Sequence, residues 1–197
     1  MDEENLLCGA LVRLTAYRPE DAATIARWTE GTRYMRFQDT RAALPMSAAE
    51  VASEIGRIYD GVHSIYFGIR RLTDDVLIGT AGFFEIEWSN GVAELGIGIG
   101  EPENWSKGYG TEALALVLRF AFQELNFYRV TLTVLAYNAR AIALYERAGF
   151  VHEGTYREYG LRDGERYDLL LYGLLRREWL AQAKGAQQRQ RSAAPGA

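Results

Sequence analysis

The stretch Val92–Leu125, VAELGIGIGEPENWSKGYGTEALALVLRFAFQEL, predicts a strand, a glycine-containing loop and a buried helix in succession. Side chains alternate between the two faces of a strand, so this strand has one aliphatic face and one nearly bare face. The aliphatic face carries Ala93, Leu95, Ile97 and Ile99, and the bare face carries Glu94, Gly96, Gly98 and Gly100. Glycine weakens a strand, and three on one face indicate that something lies close against the backbone. We expect an extended ligand to lie along this strand.

The loop after the strand has the composition of an anion site. Backbone N–H groups are unpaired at the start of a helix and point at whatever lies there, which makes the position suitable for phosphate. The residues predicted to bind the anionic end of the ligand are Lys107, Gly108, Tyr109, Gly110 and Thr111. A side-chain role for Lys107 in neutralising phosphate is one interpretation, and a solvated lysine is the other. A dinucleotide fingerprint would need glycine at position 101, where Glu101 stands, and the P-loop pattern is absent.

Two blocks of this sequence resemble the GCN5-related N-acetyltransferase (GNAT) superfamily. Trp105–Ala113, WSKGYGTEA, is similar to the family's pyrophosphate-binding signature, (Gln/Arg)-x-x-Gly-x-(Gly/Ala), except that Trp105 replaces the first residue. This departure leaves one side-chain contact to the cofactor open. Asn138–Phe150, NARAIALYERAGF, resembles the family's second block. The resemblance covers roughly residues 10 to 177 and is strongest to the branch of ribosomal-protein N-terminal and spermidine acetyltransferases.

The resemblance implies an α/β fold with a mixed, twisted sheet of six to seven strands, helices on both faces, and a wedge between the strand that carries Glu94 and the strand that begins at Tyr128. It also implies acetyl-CoA as cosubstrate and direct acetyl transfer to a primary amine, either a protein N-terminus or a small amine. Asn138 would bind the pantetheine arm of the cofactor, and the Tyr145 hydroxyl would protonate the departing thiolate. From spacing alone, Asn138 and Tyr145 are two helical turns apart on one face, so an ordinary N-cap and a packed tyrosine remain the alternative interpretation.

Acetylation of an amine also needs a proton acceptor, because a lysine-like amine with a pKa of about 10.4 is almost fully protonated at pH 7. Glu94 is the first candidate, since its context resembles the strand that carries the general base in the histone acetyltransferase branch. Glu85, Glu87 or a chain of water molecules are alternatives. The developing negative charge on the thioester oxygen needs a donor, and we predict the main chain of the Gly96–Ile99 segment for this, including Ile97, Gly98 and Ile99.

Composition excludes several other classes of protein. The chain has 197 residues, of which 48% are hydrophobic and 24% charged, which is ordinary for a globular domain. A single cysteine, Cys8, and two distant histidines predict neither disulfides nor a metal centre. The net charge of −4 gives no support for nucleic-acid binding. No apolar run approaches the roughly 20 residues that span a bilayer, and the acidic start is unlike a signal peptide, so we expect a cytoplasmic protein that does not bind membranes.

The remaining sequence predicts one acetyltransferase domain over residues 1–180 and a disordered tail over residues 184–197. Residues 31–46 have no clear period and are predicted to be a long connection. Ser47 and Glu50 form a predicted capping box, and Arg162–Glu165 a predicted hairpin turn. The helix that begins at Asn138 is predicted to stop at Gly149. Gly79 and Gly82 interrupt the strand predicted over residues 76–87 and are expected to mark a bulge. A homodimer is left open. The alternative function from another class is a non-catalytic acyl-CoA-binding regulatory module, which would keep the 105–110 loop without depending on Tyr145 or Glu94.

Overall fold

A computed structural model describes residues 5–58 and 60–182 of the chain. The strands are β1 (Val12–Thr15), β2 (Ile65–Arg71), β3 (Leu77–Glu87), β4 (Val92–Ile99), β5 (Arg129–Leu135), β6 (Val151–Arg162) and β7 (Glu165–Leu175). The α-helices are α1 (Asp21–Glu30), α2 (Thr32–Gln38), α3 (Ala48–Ile58), α4 (Tyr109–Arg119) and α5 (Ala139–Arg147). A 3-10 turn (Pro102–Asn104) precedes α4, a π-helical turn (Phe120–Glu124) extends it, and residues 176–182 are also helical. The predicted tail, residues 184–197, lies outside the described residues.

The strands form a seven-stranded sheet in the order β1-β2-β3-β4-β5-β7-β6. Every neighbouring pair is antiparallel except β4 and β5, which are parallel. Their pairing covers only Val92–Glu94 against Arg129–Thr131, so the two strands separate after Glu94. The predicted mixed sheet and the predicted wedge between these two strands are therefore confirmed. Beyond Glu94, β4 is paired on one side only, with β3.

Helices pack on both faces of the sheet, as predicted. On one face α4 packs against β1, β3 and β4, and its Leu114 and Val117 are almost inaccessible to solvent. Burying an aliphatic side chain of this size contributes roughly 1.5–3 kcal/mol, so this contact fixes α4 firmly on the sheet. On the other face α1 and α3 form a smaller cluster that includes Trp28 and Val51.

Local sequence signals determine several of the boundaries. Ser47 and Glu50 form the reciprocal bonds of a capping box at α3, because the Ser47 N–H donates to Glu50 and the Glu50 N–H donates to the Ser47 hydroxyl. The β6–β7 hairpin turns through Asp163 and Gly164, which have φ of 51° and 84° as a type I′ turn requires. Gly149 ends α5 with φ of 91°. These three predictions are confirmed.

Two predictions need correction. Residues 31–46 are not a continuous connection, because residues Thr32–Gln38 form α2. The segment is only seven residues long, too short to show a helical period, and it is held in place by tertiary contacts described below. The second correction concerns β3. One irregularity does lie beside Gly79, as expected, but the other lies at Glu85, which has φ of 46°, rather than at Gly82.

The bare face of β4 has close neighbours, but they belong to the protein itself. A side chain added to Gly98 would collide with the carboxamide of Gln38 in α2, and one added to Gly100 would collide with the Trp28 ring. A Cβ at Gly96 would lie 2.7 Å from Phe84. The expectation that something lies against these glycines is thus confirmed, and the first two helices supply much of it. This face of β4 is therefore occupied, whereas its edge beyond Glu94 is unpaired on one side.

Candidate functional site

A cavity of about 420 Å³ opens where β4 and β5 separate. It is bounded by β4, the loop before α4, the first turn of α4, α5 and one side of α2. Its lining comprises Arg33, Phe37, Gln38, Ile97, Gly98, Ile99, Asn104, Trp105, Ser106, Gly108, Gly110, Thr111, Tyr137, Asn138, Ala139, Arg140, Ala141, Leu144, Tyr145 and Arg147. We call this cavity the cleft. It gathers eight of the eleven residues that the sequence analysis predicted for the site.

The first turn of α4 faces the cleft without a side-chain cap. Gly108 is its N-cap residue and has φ of 87°, a left-handed conformation that glycine adopts without strain. Gly110 and Thr111 follow it and also line the cleft. Unpaired N–H groups and the positive end of the helix dipole therefore point into this space. The arrangement suits a phosphate, as the sequence indicated.

The carboxylate in this helical turn is held on the other side of the helix. Glu112 accepts hydrogen bonds from the backbone N–H groups of Ala10, Leu11 and Val12, at 2.8, 2.7 and 2.7 Å. Three such bonds anchor the segment before β1 to α4. They also keep the negative charge of Glu112 out of the cleft, where it would repel an anion.

Two predicted loop residues lie outside the cleft lining. The Lys107 side chain is exposed to solvent, and Tyr109 packs against the main hydrophobic core. Neither side chain contributes to the cavity, although the backbone around them does. Both interpretations of Lys107, a phosphate contact and a solvated lysine, stay predictions.

Asn138 and Tyr145 both face the cleft from α5. Asn138 is the N-cap, and its side-chain oxygen accepts from the Ala141 N–H at 3.2 Å, so the N-cap interpretation is confirmed. Tyr145 is only 7% exposed, and burial raises its pKa to about 12. Its hydroxyl makes no hydrogen bond to any of the residues that the structure describes. The phenol is therefore neutral at pH 7 and free to donate.

The candidate carboxylates lie away from the cleft. Glu94 is at the last paired position between β4 and β5, where its carboxylate accepts from the Thr133 hydroxyl at 3.3 Å. Glu85 is exposed at the bulge of β3, and Glu87 accepts from the Asn90 side chain at 2.7 Å. Among the described residues, no aspartate or glutamate lines the cleft. A base drawn from these three groups would act through water.

Sequence reasoning missed the part of the lining contributed by α2, because it did not predict this helix. Arg33, Phe37 and Gln38 reach the cleft from there. It also left the role of Trp105 open, whereas in the structure the Trp105 Nε1 donates to the Ile99 carbonyl at 3.0 Å. That bond ties the loop to the free edge of β4. The seven residues of α2 are too few to show a helical period, so no local pattern pointed to them.

A group of side-chain contacts joins α2, which lines the cleft, to the β6–β7 turn. Arg36 of α2 forms a two-pronged ion pair with Asp163 in the β6–β7 turn, at 2.7 and 2.8 Å. Arg162 donates to the carbonyls of Asp39 and Arg41, at 2.9 and 3.0 Å. The Tyr137 hydroxyl also donates to the Arg36 carbonyl. These contacts, which we call the hairpin clamp, hold α2 and the chain after it against the hairpin.

Fold and cleft together define the class of protein. A sheet whose two parallel central strands separate beside an uncapped, glycine-led helix is the architecture of an acyl-CoA-dependent acetyltransferase. The sequence profile of the Acetyltransferase (GNAT) domain matches residues 12–151, and the chain belongs to this family. The predicted family, the predicted fold class and the predicted enzyme class, an N-acetyltransferase, are confirmed.

Relatives and solved structures agree with the assignment. The chain is 32% identical over 166 residues to the uncharacterized N-acetyltransferase p20 of Bacillus licheniformis, covering 81% of this chain and 90% of that protein. It is 29% identical over 147 residues to the uncharacterized N-acetyltransferase YoaA of Bacillus subtilis, covering 75% and 81%. A crystal structure of spermidine N-acetyltransferase from Vibrio cholerae in complex with CoA and spermine superposes with a TM-score of 0.78 at 25% identity. That match covers 86% of this chain and 98% of the other.

No helix among the described residues combines the length and apolar character that crossing a membrane requires. Nor do they contain a group of three or more His, Cys, Asp or Glu side chains placed to hold a metal ion.

Proposed function

We propose that this protein transfers an acetyl group from acetyl-CoA to a primary amine, in one step within a ternary complex. The observation that carries the proposal is that the uncapped start of α4 and the Tyr145 side chain open onto the same cleft, along the free edge of β4. One end of the cleft suits an anion and the other presents a neutral donor. The single domain of residues 1–180 would carry the whole reaction.

The cofactor end follows from the helix geometry. The N–H groups around Gly108, Gly110 and Thr111 would hold the diphosphate, because they are unpaired and lie at the positive end of α4. Bound acetyl-CoA supplies an activated thioester. Asn138 would contact the pantetheine arm while it caps α5. The main chain of Ile97, Gly98 and Ile99 lies on the open edge of β4 and would hold the thioester carbonyl.

Tyr145 would act as the general acid. Burial raises its pKa to about 12, so the phenol keeps its proton throughout the neutral range. A hydroxyl in that state donates a hydrogen bond to sulfur as negative charge develops on it. Phe150 packs edge-on against the ring at 5.9 Å between centroids and helps to fix its direction.

Glu94 would remove the proton of the amine through water. It lies on the same strand as the proposed thioester site, but Gly98 is four residues further along, roughly 13 Å at 3.3 Å per residue. We therefore expect Glu94 to act through water rather than by direct contact with the amine. Glu85 and Glu87 remain alternative bases. Like Glu94, they lie outside the cleft lining and would also act through water.

The acceptor would be a small polyamine-like amine or a protein N-terminus. The family includes a spermidine N-acetyltransferase that binds spermine. A net charge of −4 favours a cationic substrate in general, and the hairpin clamp leaves the acceptor side of the cleft bounded by α2 and the β6–β7 turn.

The test is a thiol-release assay. The protein is mixed with acetyl-CoA and a panel containing spermidine, a monoamine and short peptides with free N-termini, and free CoA thiol is followed with a chromogenic reagent. We expect amine-dependent thiol release with at least one member, with mass spectrometry showing the acetylated amine. CoA binding without release to any amine would contradict catalysis and favour the binding-module alternative.

A further inference from the structure

Three arginines line the cleft without an anionic partner. Arg33 of α2, and Arg140 and Arg147 of α5, have no carboxylate within salt-bridge distance in the part of the chain that the structure describes. By contrast, Arg36 in the same helix as Arg33 is fully engaged with Asp163. Unpaired guanidinium groups gathered around one cavity indicate a binding site for an anion.

Two of the three are stacked on a single ring. The Arg33 Cζ lies 4.7 Å from the centre of the Trp105 ring, and the Arg140 Cζ lies 4.4 Å from it. The indole is fixed by its hydrogen bond to the Ile99 carbonyl and by the edge-on contact of Phe37, at 6.2 Å between ring centroids. We call this arrangement the Arg33–Trp105–Arg140 stack.

The stack holds like charges close together. Each cation is attracted to the aromatic face, and the two cations repel each other because both lie close to one ring, at 4.7 and 4.4 Å from its centre. A group with two negative charges between or beside them would relieve the repulsion and accept hydrogen bonds from both guanidiniums. Arginine presents a planar fork that matches phosphate oxygens, which lysine cannot do.

The position of the stack connects it to the α4 turn. Trp105 stands three residues before Gly108, where the resembling signature has glutamine or arginine. Here an indole occupies that place and carries two cations that come from other elements, one from α2 and one from α5. The stack therefore adds two positive charges beside the loop that precedes α4, from residues outside that loop.

We propose that the Arg33–Trp105–Arg140 stack binds a phosphate group of coenzyme A. This inference rests on the proposed function and adds to it a phosphate contact made by side chains of α2 and α5. The phosphate is either the diphosphate, shared with the α4 turn, or the 3′-phosphate of the ribose. Because Arg33 is in α2, the same contact draws the helix that bounds the acceptor side toward the bound cofactor.

The test compares two ligands by calorimetry. CoA and 3′-dephospho-CoA are titrated into the wild-type protein, R33Q and R140Q. We expect each substitution to weaken CoA binding about 10-fold, the scale of a charge-assisted hydrogen bond. An equal loss for dephospho-CoA would assign the diphosphate, and a loss confined to CoA would assign the 3′-phosphate. Either result supports the stack as a phosphate site.

Controls separate binding from structure. R57Q removes an exposed arginine of α3 that does not line the cleft, and should leave both affinities within twofold. R33Q and R140Q should keep the wild-type melting temperature and should raise the KM for acetyl-CoA, whereas R57Q should change neither quantity. If R33Q and R140Q bound CoA as tightly as wild type, the stack proposal alone would be overturned. A wild-type protein that bound neither ligand would instead contradict the proposed function and the stack with it.

Discussion

The two ends of the cleft differ in the groups that form them, which are main-chain groups at one end and side chains at the other. At the cofactor end, the groups that face the ligand are backbone N–H groups of the α4 turn, which depend on the left-handed conformation of Gly108. At the proposed acceptor end, α2 lines the cleft and is held by side-chain contacts with the β6–β7 turn, chiefly Arg36 with Asp163. A backbone site tolerates many side-chain changes but few backbone ones. A site bounded by exposed side chains can change its selectivity by single substitutions.

The largest effect is expected at the cofactor end. G108E should weaken CoA binding by more than about 100-fold, because it strains a residue with φ of 87° and places a carboxylate where the phosphate would lie. Isothermal calorimetry measures the affinity. The matched control is G61E, since Gly61 has φ of 73° and open space around it but lies outside the cleft lining. G61E should lose stability alone, and retained CoA binding in G108E would contradict the phosphate site.

A smaller effect is expected at Tyr145. Y145F should lower kcat about 10- to 1,000-fold while the affinity for CoA changes little, because the hydroxyl is needed only when charge develops on sulfur. Single-turnover thiol release and calorimetry on the same samples separate the two quantities. Y128F, which removes an exposed hydroxyl outside the lining, is the control. Unchanged turnover in Y145F would remove this residue from the mechanism.

The pH dependence of the same reaction gives a second outcome at Tyr145. The acid must be protonated to act, and its pKa is raised to about 12 by burial, so loss of this proton lowers the rate only near the top of the alkaline range. Deprotonation of the acceptor amine, in contrast, raises the rate as pH increases toward about 10. We therefore expect kcat/KM to rise between pH 7 and 9.5 without a decline. A descending limb below pH 9.5 that Y145F abolishes would contradict the raised pKa.

The same contrast explains how much could be predicted from the sequence. The cofactor end is encoded locally: alternation in β4, Gly108 before an apolar helix and Asn138 before α5 are each visible within a few residues. The family signature adds the wedge between β4 and β5. The acceptor end depends on pairs distant in sequence, such as Arg36 with Asp163, which no local pattern reveals. Residues 32–38 are too few to show a helical period, and the location of Glu94 outside the lining follows from where strand pairing stops.

The smallest effect is expected at the hairpin clamp, and it should fall on the acceptor alone. D163N keeps the shape of the side chain but removes the charge that pairs with Arg36, and exposed ion pairs contribute little. We expect the KM for the amine to change about threefold and the affinity for CoA to stay the same.

Arg36 holds the pKa of the Asp163 carboxyl below its usual value. The pair is therefore intact above the ordinary carboxylate range and is lost only as pH falls through the lowered pKa, so the change in KM should be the same at pH 6 and pH 8. E153Q is the matched control, because Glu153 forms a comparable two-pronged pair with Arg129 of β5 and, among the described residues, has no contact with α2. If D163N changed CoA affinity as much as amine KM, the two ends of the cleft would not be separate in function, and the division between a backbone-built cofactor end and a side-chain-built acceptor end would fail.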